Sequence, residues 1–528
     1  METFDNGAGL SLIVFLPLVG MVLILITPRA RENAMKGTAL LFTGGSFLLS
    51  LVAVSRFDYK QADEFQLGTN QAWIQAISAR FHIGVDGISL PLVVLSTFVT
   101  FLCVIYTLKH AEEPHNPKAF LSLILLLAVG MAGTFVALDL VLFFVFFELV
   151  LLPMYFLVGI WGDRFKRRLP GFDREVEMRL YAAIKFFLFT LLGSVFMLLG
   201  FIGLFVIAGT WQIPELIAGG EGIFESTVNL LGWEPKVAFL IFAGLFLGFA
   251  VKVPMWPLHT WLPDAHTAAP TVGSVLLAAI LLKLGAYGFI RISLPILPGQ
   301  AGDWAPFIAV LAVIAIIYGA LACLAQRDLK RLIAFSSVGH MGFVMLGIAT
   351  LTATGLNAAV IGMVAHGVIT GLLFFLAGSM HHRYHTREMA RLGGNLKLMP
   401  VMGGILAFTA MASLGLPGLA GFWGEFMALL GAYEPAEFLS QNLFRTAMVL
   451  GAIGTVLTAG YMLWMLQRVN LGEPSEEWAG TSFEDVDRFE MASWAPLVVA
   501  IAVIGVFPGI VFTLTNPAVE SLVQVFGG

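Results

Sequence analysis

The stretch Gly421-Phe-Trp-Gly-Glu425-Phe places a carboxylate inside an otherwise apolar segment, next to a Pro-Gly break at residues 417 and 418. A charged side chain near the centre of a bilayer costs about 2.5–3.5 kcal/mol on insertion scales. A second stretch, Gly248-Phe-Ala-Val-Lys252, has the same spacing from Gly-Phe to the charge. The pair predicts two broken helices of opposite charge, and a functional reason for keeping both charges.

The composition indicates a chain that lies mostly within a membrane. Of its 528 residues, 58% are hydrophobic and 12% are charged, whereas soluble domains average about 25% charged residues. The net charge of −5 is small and gives no basic surface for nucleic acid. Cys103 and Cys323 lie in apolar runs, without the spacing of a disulfide framework or a metal site.

The sequence predicts an all-α integral membrane protein of about fourteen transmembrane helices, because its apolar runs are long enough to cross the hydrocarbon. We expect the first span to be retained, since it lacks the basic region and cleavage site of a signal peptide. The predicted spans are residues 9–27, 36–55, 85–108, 118–137, 139–160, 180–208, 237–257, 271–292, 305–324, 330–349, 356–380, 400–430, 442–466 and 490–514.

The distribution of lysine and arginine predicts the orientation. Twenty of these residues lie in the odd-numbered loops, and six lie in or beside the even-numbered loops. Because basic residues favour the cytoplasmic side, we expect cytoplasmic odd-numbered loops and both termini outside. The loops are too short for a βαβ nucleotide-binding unit of about 30 residues, so we expect no cofactor or metal on this chain.

Seven ionisable residues lie within predicted spans, away from the charges at the span ends: Glu148, Lys185, Lys252, Lys283, His340, His366 and Glu425. A file of titratable groups through successive helices is typical of a proton relay. Imidazole titrates near neutral pH and has two distinct nitrogens, so it can pass a proton on. Pro254 and Pro257 remove backbone donors just after Lys252 and predict the break there.

Structural alternatives stay open for several of these residues. Glu148 could form a static interhelical salt bridge, and Lys185 could extend to the cytoplasmic interface. The two histidines within spans could be hydrogen-bonded core residues. His259, Asp264 and His266 follow the first break and could either line an entrance or cap helix ends.

The order of the charged groups predicts two inverted repeats of five helices, each containing a broken helix, since a shift of five helices reverses topology. The predicted organisation has four parts. They are residues 1–117 with helices 1–3, residues 118–292 with the first repeat, residues 305–466 with the second repeat, and residues 467–528 with a cytoplasmic loop and the last helix.

Three motifs resemble a known family: Phe-Glu148-Leu-Val-Leu-Leu-Pro-Met, Lys252-Val-Pro-Met-Trp-Pro-Leu-His-Thr-Trp-Leu-Pro-Asp-Ala-His and Ser-Ser-Val-Gly-His340-Met-Gly. They are similar to the antiporter-like subunits of respiratory complex I and of multi-subunit cation/proton antiporters, over about residues 80–470. The resemblance implies a Glu148–Lys252 pair, a central Lys283, linking histidines and a charged residue at position 425. Glutamate at that position resembles the M-type subunit, whereas lysine is usual in the family.

The resemblance implies a proton-translocating subunit of NADH:quinone oxidoreductase in a bacterial cell membrane. NADH, FMN, iron–sulfur clusters and quinone are then expected in other subunits of that enzyme. The implied partners are other membrane subunits, including sister antiporter-like subunits, together with the bilayer, protons and internal water. The alternatives are a subunit of a sodium/proton antiporter, a solute permease with substrate held at the broken helices, and a non-pumping scaffold.

Overall fold

The computed structural model describes residues 7–110, 114–168, 175–228 and 234–526. Within them, twelve helices are long and apolar enough to cross a membrane, which confirms the all-α membrane prediction. The elements up to the middle of the chain are α1 (Ala8–Ile26), α2 (Glu32–Arg56), β1 (Gln66–Ile74), β2 (Ala79–Val85), α3 (Ser89–Thr107), α4 (Pro117–Val136), α5 (Leu140–Trp161), β3 (Lys166–Arg168), β4 (Glu175–Glu177), α6 (Met178–Ala208), α7a (Val237–Lys252), α7b (Trp261–Ala268) and α8 (Thr271–Ile296).

The remaining main helices include one further broken helix. They are α9 (Pro298–Leu324), α10 (Leu329–Ala349), α11 (Ala353–Tyr384), α12a (Pro400–Ser413), α12b (Ala420–Tyr433), α13 (Gln441–Val469), α14 (Arg488–Val506) and α15 (Gly509–Gln524). The total of fourteen spans, the inverted repeats and the four-part organisation stay predictions. The predicted last span, 490–514, is wrong at its end, because α14 stops at Val506 and Pro508 precedes α15.

Both predicted breaks are present. α7a ends at Lys252, and the prolines at positions 254 and 257 precede α7b. Between α12a and α12b, Gly415 and Gly418 have φ angles of +79° and +92°, a region that side chains with a Cβ rarely adopt. The chain therefore turns sharply between the halves of each helix, and backbone groups are freed in the middle of the bundle.

Aspartate side chains fix where several helices begin. Asp139 accepts hydrogen bonds from the first backbone amides of α5, and Asp328 accepts one at the start of α10. Asp487 forms a capping box with Glu490 at the start of α14. These side chains satisfy amides that a helix leaves unpaired, so they set the register of the helices that carry the site.

Helix α8 lies at the centre of the bundle. Every residue of α8 is buried, and two π-helical segments, Leu277–Leu281 and Phe289–Ser293, interrupt it. At Gly285 an added Cβ would come within 2.6 Å of the Phe249 carbonyl oxygen and 3.0 Å of Lys252 Cβ. The glycine therefore lets α7a pack directly against the helix that carries Lys283.

Outside the bundle, two small antiparallel sheets connect the helices. Strands β1 and β2 form one hairpin, in which Gln66 lies opposite Val85, and β3 pairs with β4. The hairpin falls in the predicted non-membrane segment of residues 56–84. The predicted basic loop at residues 161–179 contains β3 and β4, but its residues 169–174, including Arg174, lie outside the described residues.

Candidate functional site

Lys252 is the last residue of α7a, where the carbonyl end of a helix favours a cation. Its side chain is buried, and Nζ lies 4.6 Å from the centroid of the Phe147 ring. Among the described residues, Nζ has no hydrogen-bond partner. The neighbouring Glu148 interacts with it electrostatically, but the carboxylate Oε1 accepts its hydrogen bond from Ser194 Oγ, at 2.5 Å. The predicted pair is thus a through-space one, without a direct hydrogen bond.

Lys283 lies between the two π-helical segments of α8 and is fully buried. Its Nζ donates a hydrogen bond of 2.5 Å to the carbonyl oxygen of Ala278. Nζ also lies 2.5 Å from Nδ1 of His366 on α11. An amine and an imidazole at this separation form a direct hydrogen bond, without an intervening water.

The two histidines within spans lie side by side. The ring centroids of His340 and His366 are 5.7 Å apart. His340 Nδ1 lies 3.0 Å from Oε1 of Glu425, and its Nε2 lies 3.1 Å from Ser413 Oγ. Ser413 ends α12a and Glu425 lies on α12b, so the break brings both halves of the helix onto one imidazole.

A small cavity joins these groups. His340, His366, Ser413, Glu425 and Thr370 contribute polar atoms to its wall, and it offers about 30 Å³ to the centres of water molecules. Such a volume holds about two waters. Two atoms facing this region, His366 Nε2 and Glu425 Oε2, have no hydrogen-bond partner within the part of the chain that the structure describes. The cavity therefore suits a short water bridge between the histidines and the carboxylate.

Two protein-family models match this chain. Residues 137–458 match the model described as NADH:quinone oxidoreductase/Mrp antiporter, TM. The chain belongs to this family. Residues 14–134 also match the model described as NADH-ubiquinone oxidoreductase chain 4, amino terminus, so the two matches cover most of the chain.

Curated relatives of this antiporter family member extend over its whole length. A protein of Rhodobacter capsulatus named NADH-quinone oxidoreductase subunit M is 42% identical over 98% of this chain and 96% of its own. A protein of Marchantia polymorpha named NADH-ubiquinone oxidoreductase chain 4 is 37% identical over 98% and 97%. These matches confirm the resemblance drawn from the three motifs.

Solved structures show the same fold. A chain of respiratory complex I from Thermus thermophilus with bound NADH matches with a TM-score of 0.83 and 29% identity, over 98% of this chain and 100% of that one. A chain of the Mrp complex from Dietzia sp. DQ12-45-1b matches with a TM-score of 0.81 over the full length of both chains. At 20% identity, the second match supports the architecture alone.

Lys185 on α6 forms an ion pair with Asp264 on α7b. Lys185 Nζ lies 2.7 Å from Asp264 Oδ2, and an Arg331 nitrogen lies 3.8 Å from the other carboxylate oxygen. Lys185 therefore has an ion-pair partner on another helix. His259 is buried, and its ring lies 4.9 Å from that of Tyr318.

The sequence analysis missed one buried lysine. Lys330 was counted with the loop residues, but it is only 4% exposed, and its Nζ donates a hydrogen bond to the Ala269 carbonyl oxygen. His266 lies nearby, fully buried and stacked on the Phe374 ring with a centroid distance of 4.5 Å. The signal for Lys330 was its place two residues after Asp328, which caps α10, so that the lysine lies in the first turn of the helix.

Two further buried ion pairs were missed because each member lies near the end of an apolar run. Arg291 on α8 contacts both carboxylate oxygens of Asp86 at 2.6 Å. Arg383 on α11 binds both carboxylate oxygens of Glu490 on α14 at 2.7 Å. Bidentate pairs of this kind fix the relative position of helices, and neither pair contacts the Lys283 group.

His110, Asp487 and Glu490 place three possible metal-ligand atoms within 4.8 Å of one another. Arg383 already binds Glu490, and Lys109 lies 3.2 Å from Asp487, so the group forms an ion-pair network. Burial by itself would raise the pKa of Asp487, but hydrogen bonds from backbone amides and from Lys109 lower that pKa to about 2. Burial lowers the pKa of His110. The network links the start of α14 to α11 and to the segment after α3, away from the candidate site.

Proposed function

We propose that this chain is a proton-translocating membrane subunit of NADH:quinone oxidoreductase, the respiratory complex I. Protons move along Glu148, Lys252, Lys283, His366, His340 and Glu425. NADH, FMN, iron–sulfur clusters and quinone belong to other subunits, so this chain contributes proton movement and no redox step. Its partners are the other membrane subunits of the complex, including sister antiporter-like subunits.

The observation that supports the proposal most strongly is the unbroken contact from Lys283 to Glu425. The lysine touches His366, the two imidazoles adjoin, and His340 touches the carboxylate. Four titratable groups from helices α8, α11, α10 and α12b thus meet in the apolar centre of the bundle. Placing so many ionisable groups there is costly, and one pair would suffice to brace two helices.

Electrostatics drives the proton along this file. A proton on Lys283 can pass to His366 Nδ1, whose ring then carries a positive charge. Release from His366 Nε2 into the cavity lets a water protonate His340 on the Nε2 side. His340 then gives its Nδ1 proton to Glu425 Oε1 and returns to the neutral state. The negative carboxylate favours each step toward it, and once Lys283 has been reprotonated, its repulsion with a charged imidazole disfavours return.

Glu148 and Lys252 form the switch before this file. Burial disfavours the charge on Lys252, and the Glu148 carboxylate favours it. Because Ser194 holds the carboxylate and no described residue forms a hydrogen bond with the ammonium, a small displacement of Glu148 changes the balance. When the attraction weakens, Lys252 releases its proton toward Lys283 on the adjoining helix.

The distribution of basic residues supports the orientation within this proposal. The odd-numbered loops carry most lysines and arginines and face the cytoplasm. Both termini then lie outside, and Glu425 delivers protons to the outer side. A sodium/proton antiporter subunit shares the fold, but glutamate at position 425 favours the complex I subunit.

The test is Glu425→Gln in the assembled complex. Glutamine keeps the size of the side chain and accepts a hydrogen bond from His340, but it takes up no proton. We expect NADH-driven proton translocation in proteoliposomes to fall at least about tenfold, the effect of about 1.4 kcal/mol on a barrier. NADH oxidation by an artificial electron acceptor, which bypasses the membrane subunits, stays unchanged.

Glu434→Gln is the matched control, because Glu434 is an exposed glutamate directly after α12b. It should pump as the unaltered complex does. Normal proton translocation by the Glu425→Gln complex would exclude Glu425 as a carrier. Sodium-dependent transport without any NADH-linked activity would instead establish the antiporter.

A further inference from the structure

Ser413 is the last residue of α12a, directly before the second break. Serine and threonine side chains inside helices often bond back to a carbonyl of the preceding turn, as Thr409 does with Ile405 at 2.6 Å. The Ser413 hydroxyl instead extends to α10, where its Oγ lies 3.1 Å from His340 Nε2. Because Ser413 is only 2% exposed, this hydroxyl is a buried polar group directed at a residue of the proton file.

The hydrogen bonds of His340 fix the direction of that contact. Nδ1 lies 3.0 Å from Oε1 of Glu425. An ionised carboxylate only accepts hydrogen bonds, so the neutral imidazole carries its hydrogen on Nδ1 when Glu425 is charged. Nε2 then has a free lone pair, and its hydrogen-bond partner among the described residues is the Ser413 hydroxyl. Since a hydroxyl both donates and accepts, it can give its hydrogen to Nε2 and take another in return.

The other hydrogen can come from the small cavity beside the two histidines. Ser413 and His366 both line this cavity, and His366 Nε2 has no hydrogen-bond partner among the described residues. A water that takes a proton from His366 can therefore reach the Ser413 hydroxyl. His340 Nε2 is already occupied by that hydroxyl, so the way from the cavity into the imidazole runs through Oγ.

We propose that Ser413 is a proton relay between the water of this cavity and His340. The water gives a proton to Oγ while the hydroxyl hydrogen moves to Nε2, so one Oγ–H bond forms as the other breaks. His340 then passes its Nδ1 proton to Glu425 Oε1. Nε2–H now donates to Oγ, and the hydroxyl and the ring turn back before the next proton follows. This relay rests on the proposed function and adds one residue to its file.

A competing route leads from the cavity water straight to Glu425 Oε2, which has no hydrogen-bond partner in the described part of the chain. That oxygen lies beside the turn of the second break, since a Cβ added at Gly415 would be 3.0 Å from it. The relay, by comparison, consists of two existing hydrogen bonds in series, at 3.1 and 3.0 Å. Removing the hydroxyl alone separates the two routes, because the direct route does not use it.

Threonine and valine at position 413 have nearly the same shape and differ in the hydroxyl. The experiment compares Ser413→Thr with Ser413→Val in the assembled complex, and it measures NADH-driven proton translocation in proteoliposomes in ordinary and in heavy water. We expect Ser413→Thr to pump normally and Ser413→Val to fall at least about tenfold, since a positioned proton-transfer group contributes about 100-fold or more to its own step. The solvent isotope effect should rise in Ser413→Val, because proton transfer into His340 becomes limiting.

Thr409→Val is the matched control, one turn earlier on the same helix. It also replaces a buried hydroxyl by a methyl group, but this hydroxyl donates to a carbonyl of its own helix. The control should pump normally, with an unchanged isotope effect.

Each other outcome has one meaning. Normal pumping by Ser413→Val, with loss in Glu425→Gln, would overturn the relay in favour of the direct route and leave the proposed function standing. Normal pumping by both would reject the relay and the proposed function together. Equal loss in Ser413→Thr and Ser413→Val would assign the effect to the size of the side chain and overturn the relay.

The isotope effect separates a relay from a residue that only positions His340. Loss in Ser413→Val without a rise in the isotope effect would make Ser413 a positioning residue and overturn the relay. If Ser413→Val does not assemble, Ser413→Ala replaces it. A rise in the isotope effect of that variant supports the relay, and an unchanged isotope effect overturns it.

Discussion

Two helices of this protein are broken at mid-bundle, and their surroundings differ. At the first break, Lys252 ends α7a, lies over an aromatic ring and has no hydrogen-bond partner among the described residues. At the second, Glu425 on α12b touches His340 beside Ser413 and a cavity with room for water. The same kind of helix break thus holds a charge without a hydrogen-bond partner among the described residues in one half, and a hydrogen-bonded charge beside a cavity in the other.

The difference teaches how one architecture can serve two steps. Lys252 has no hydrogen bond to the described residues, so its charge depends on weaker neighbours, namely the Phe147 ring, the carbonyl end of α7a and the field of Glu148. A change in that field therefore displaces its proton easily. A carboxylate within a hydrogen-bond network has defined neighbours from which it receives protons. The first site therefore suits a switch and the second suits a terminus. Four predictions break or sharpen this contrast.

The largest expected effect is on transport, from Lys252→Met. Methionine fills the buried site without a charge, so the switch is lost and we expect proton translocation by the assembled complex to fall more than about tenfold. Thermal stability should stay the same or rise, since replacing a buried charge by an apolar side chain of similar size is often neutral or stabilising. Lys236→Met, at the exposed start of α7a, is the control. A large loss of thermal stability in Lys252→Met would show that the contacts of Lys252 stabilise the fold.

Glu425→Ala should behave in the opposite way in stability measurements. The substitution removes the partner of His340 and leaves the imidazole and Ser413 facing an enlarged cavity. We expect the free energy of unfolding to fall by about 3 kcal/mol, the cost of breaking a buried pair from one side. Denaturant unfolding in detergent, compared with Glu425→Gln, measures it. Equal stability of the two variants would mean that the hydrogen bond contributes nothing.

Acid should destabilise the packing of α14 around the second break, between α12a and α12b, but not the packing around the first break. Asp487 caps α14, and α14 receives a hydrogen bond from Trp423 of α12b at Gly505 O, 2.9 Å away. The pKa of Asp487 falls from 3.8 to about 2 on folding. Its stabilisation, about 2 kcal/mol, is therefore complete above about pH 4 and is lost as the pH falls through about 2.

The check is the unfolding midpoint between pH 5 and pH 2, for the unaltered protein and for Asp487→Asn. Asparagine still caps a helix but does not titrate in this range. The pH-dependent loss should therefore shrink in the variant. An identical acid profile for both proteins would assign the loss to other carboxylates.

The smallest effects come from a pair of glycines. Gly285→Ala pushes on the Phe249 carbonyl oxygen and on Lys252 Cβ, so we expect a cost of about 1 kcal/mol from overpacking. Gly404→Ala on α12a meets nothing within 4 Å and should stabilise by about 0.5 kcal/mol through the unfolded state. Unfolding free energies of both variants check the prediction. Similar values would show that α7a and α8 can separate without strain.

The sequence predicted the parts of the site where a charge interrupts a long apolar run. Lys252, Lys283 and Glu425 were found in this way, and proline or glycine marked both breaks. Lys330 was missed because Arg327, Asp328 and Arg331 around it have the composition of a loop, and the cap that buries it depends on Asp328 geometry. A contact such as that between Lys283 and His366 joins helices far apart in sequence, so no local pattern indicates it.

Other features leave weaker traces in the sequence. The two π-helical segments of α8 change the helix by one residue per turn, and hydropathy does not register that change. The β1–β2 hairpin was read only as a non-membrane segment, since its alternation is short and irregular. Helix α15 was merged with α14, because Pro508 separates two apolar stretches without a polar loop between them.

The complete burial of α8 has a consequence for how the bilayer acts on this protein. Helices such as α1, α2 and α13 expose large apolar side chains, among them Ile26, Leu41 and Val456, and these faces are open to lipid or to neighbouring membrane subunits. Helix α8, in contrast, is surrounded by protein on every side. Lys283 is therefore insulated from the lipid, and changes in membrane composition reach it only as movements of the helices around it.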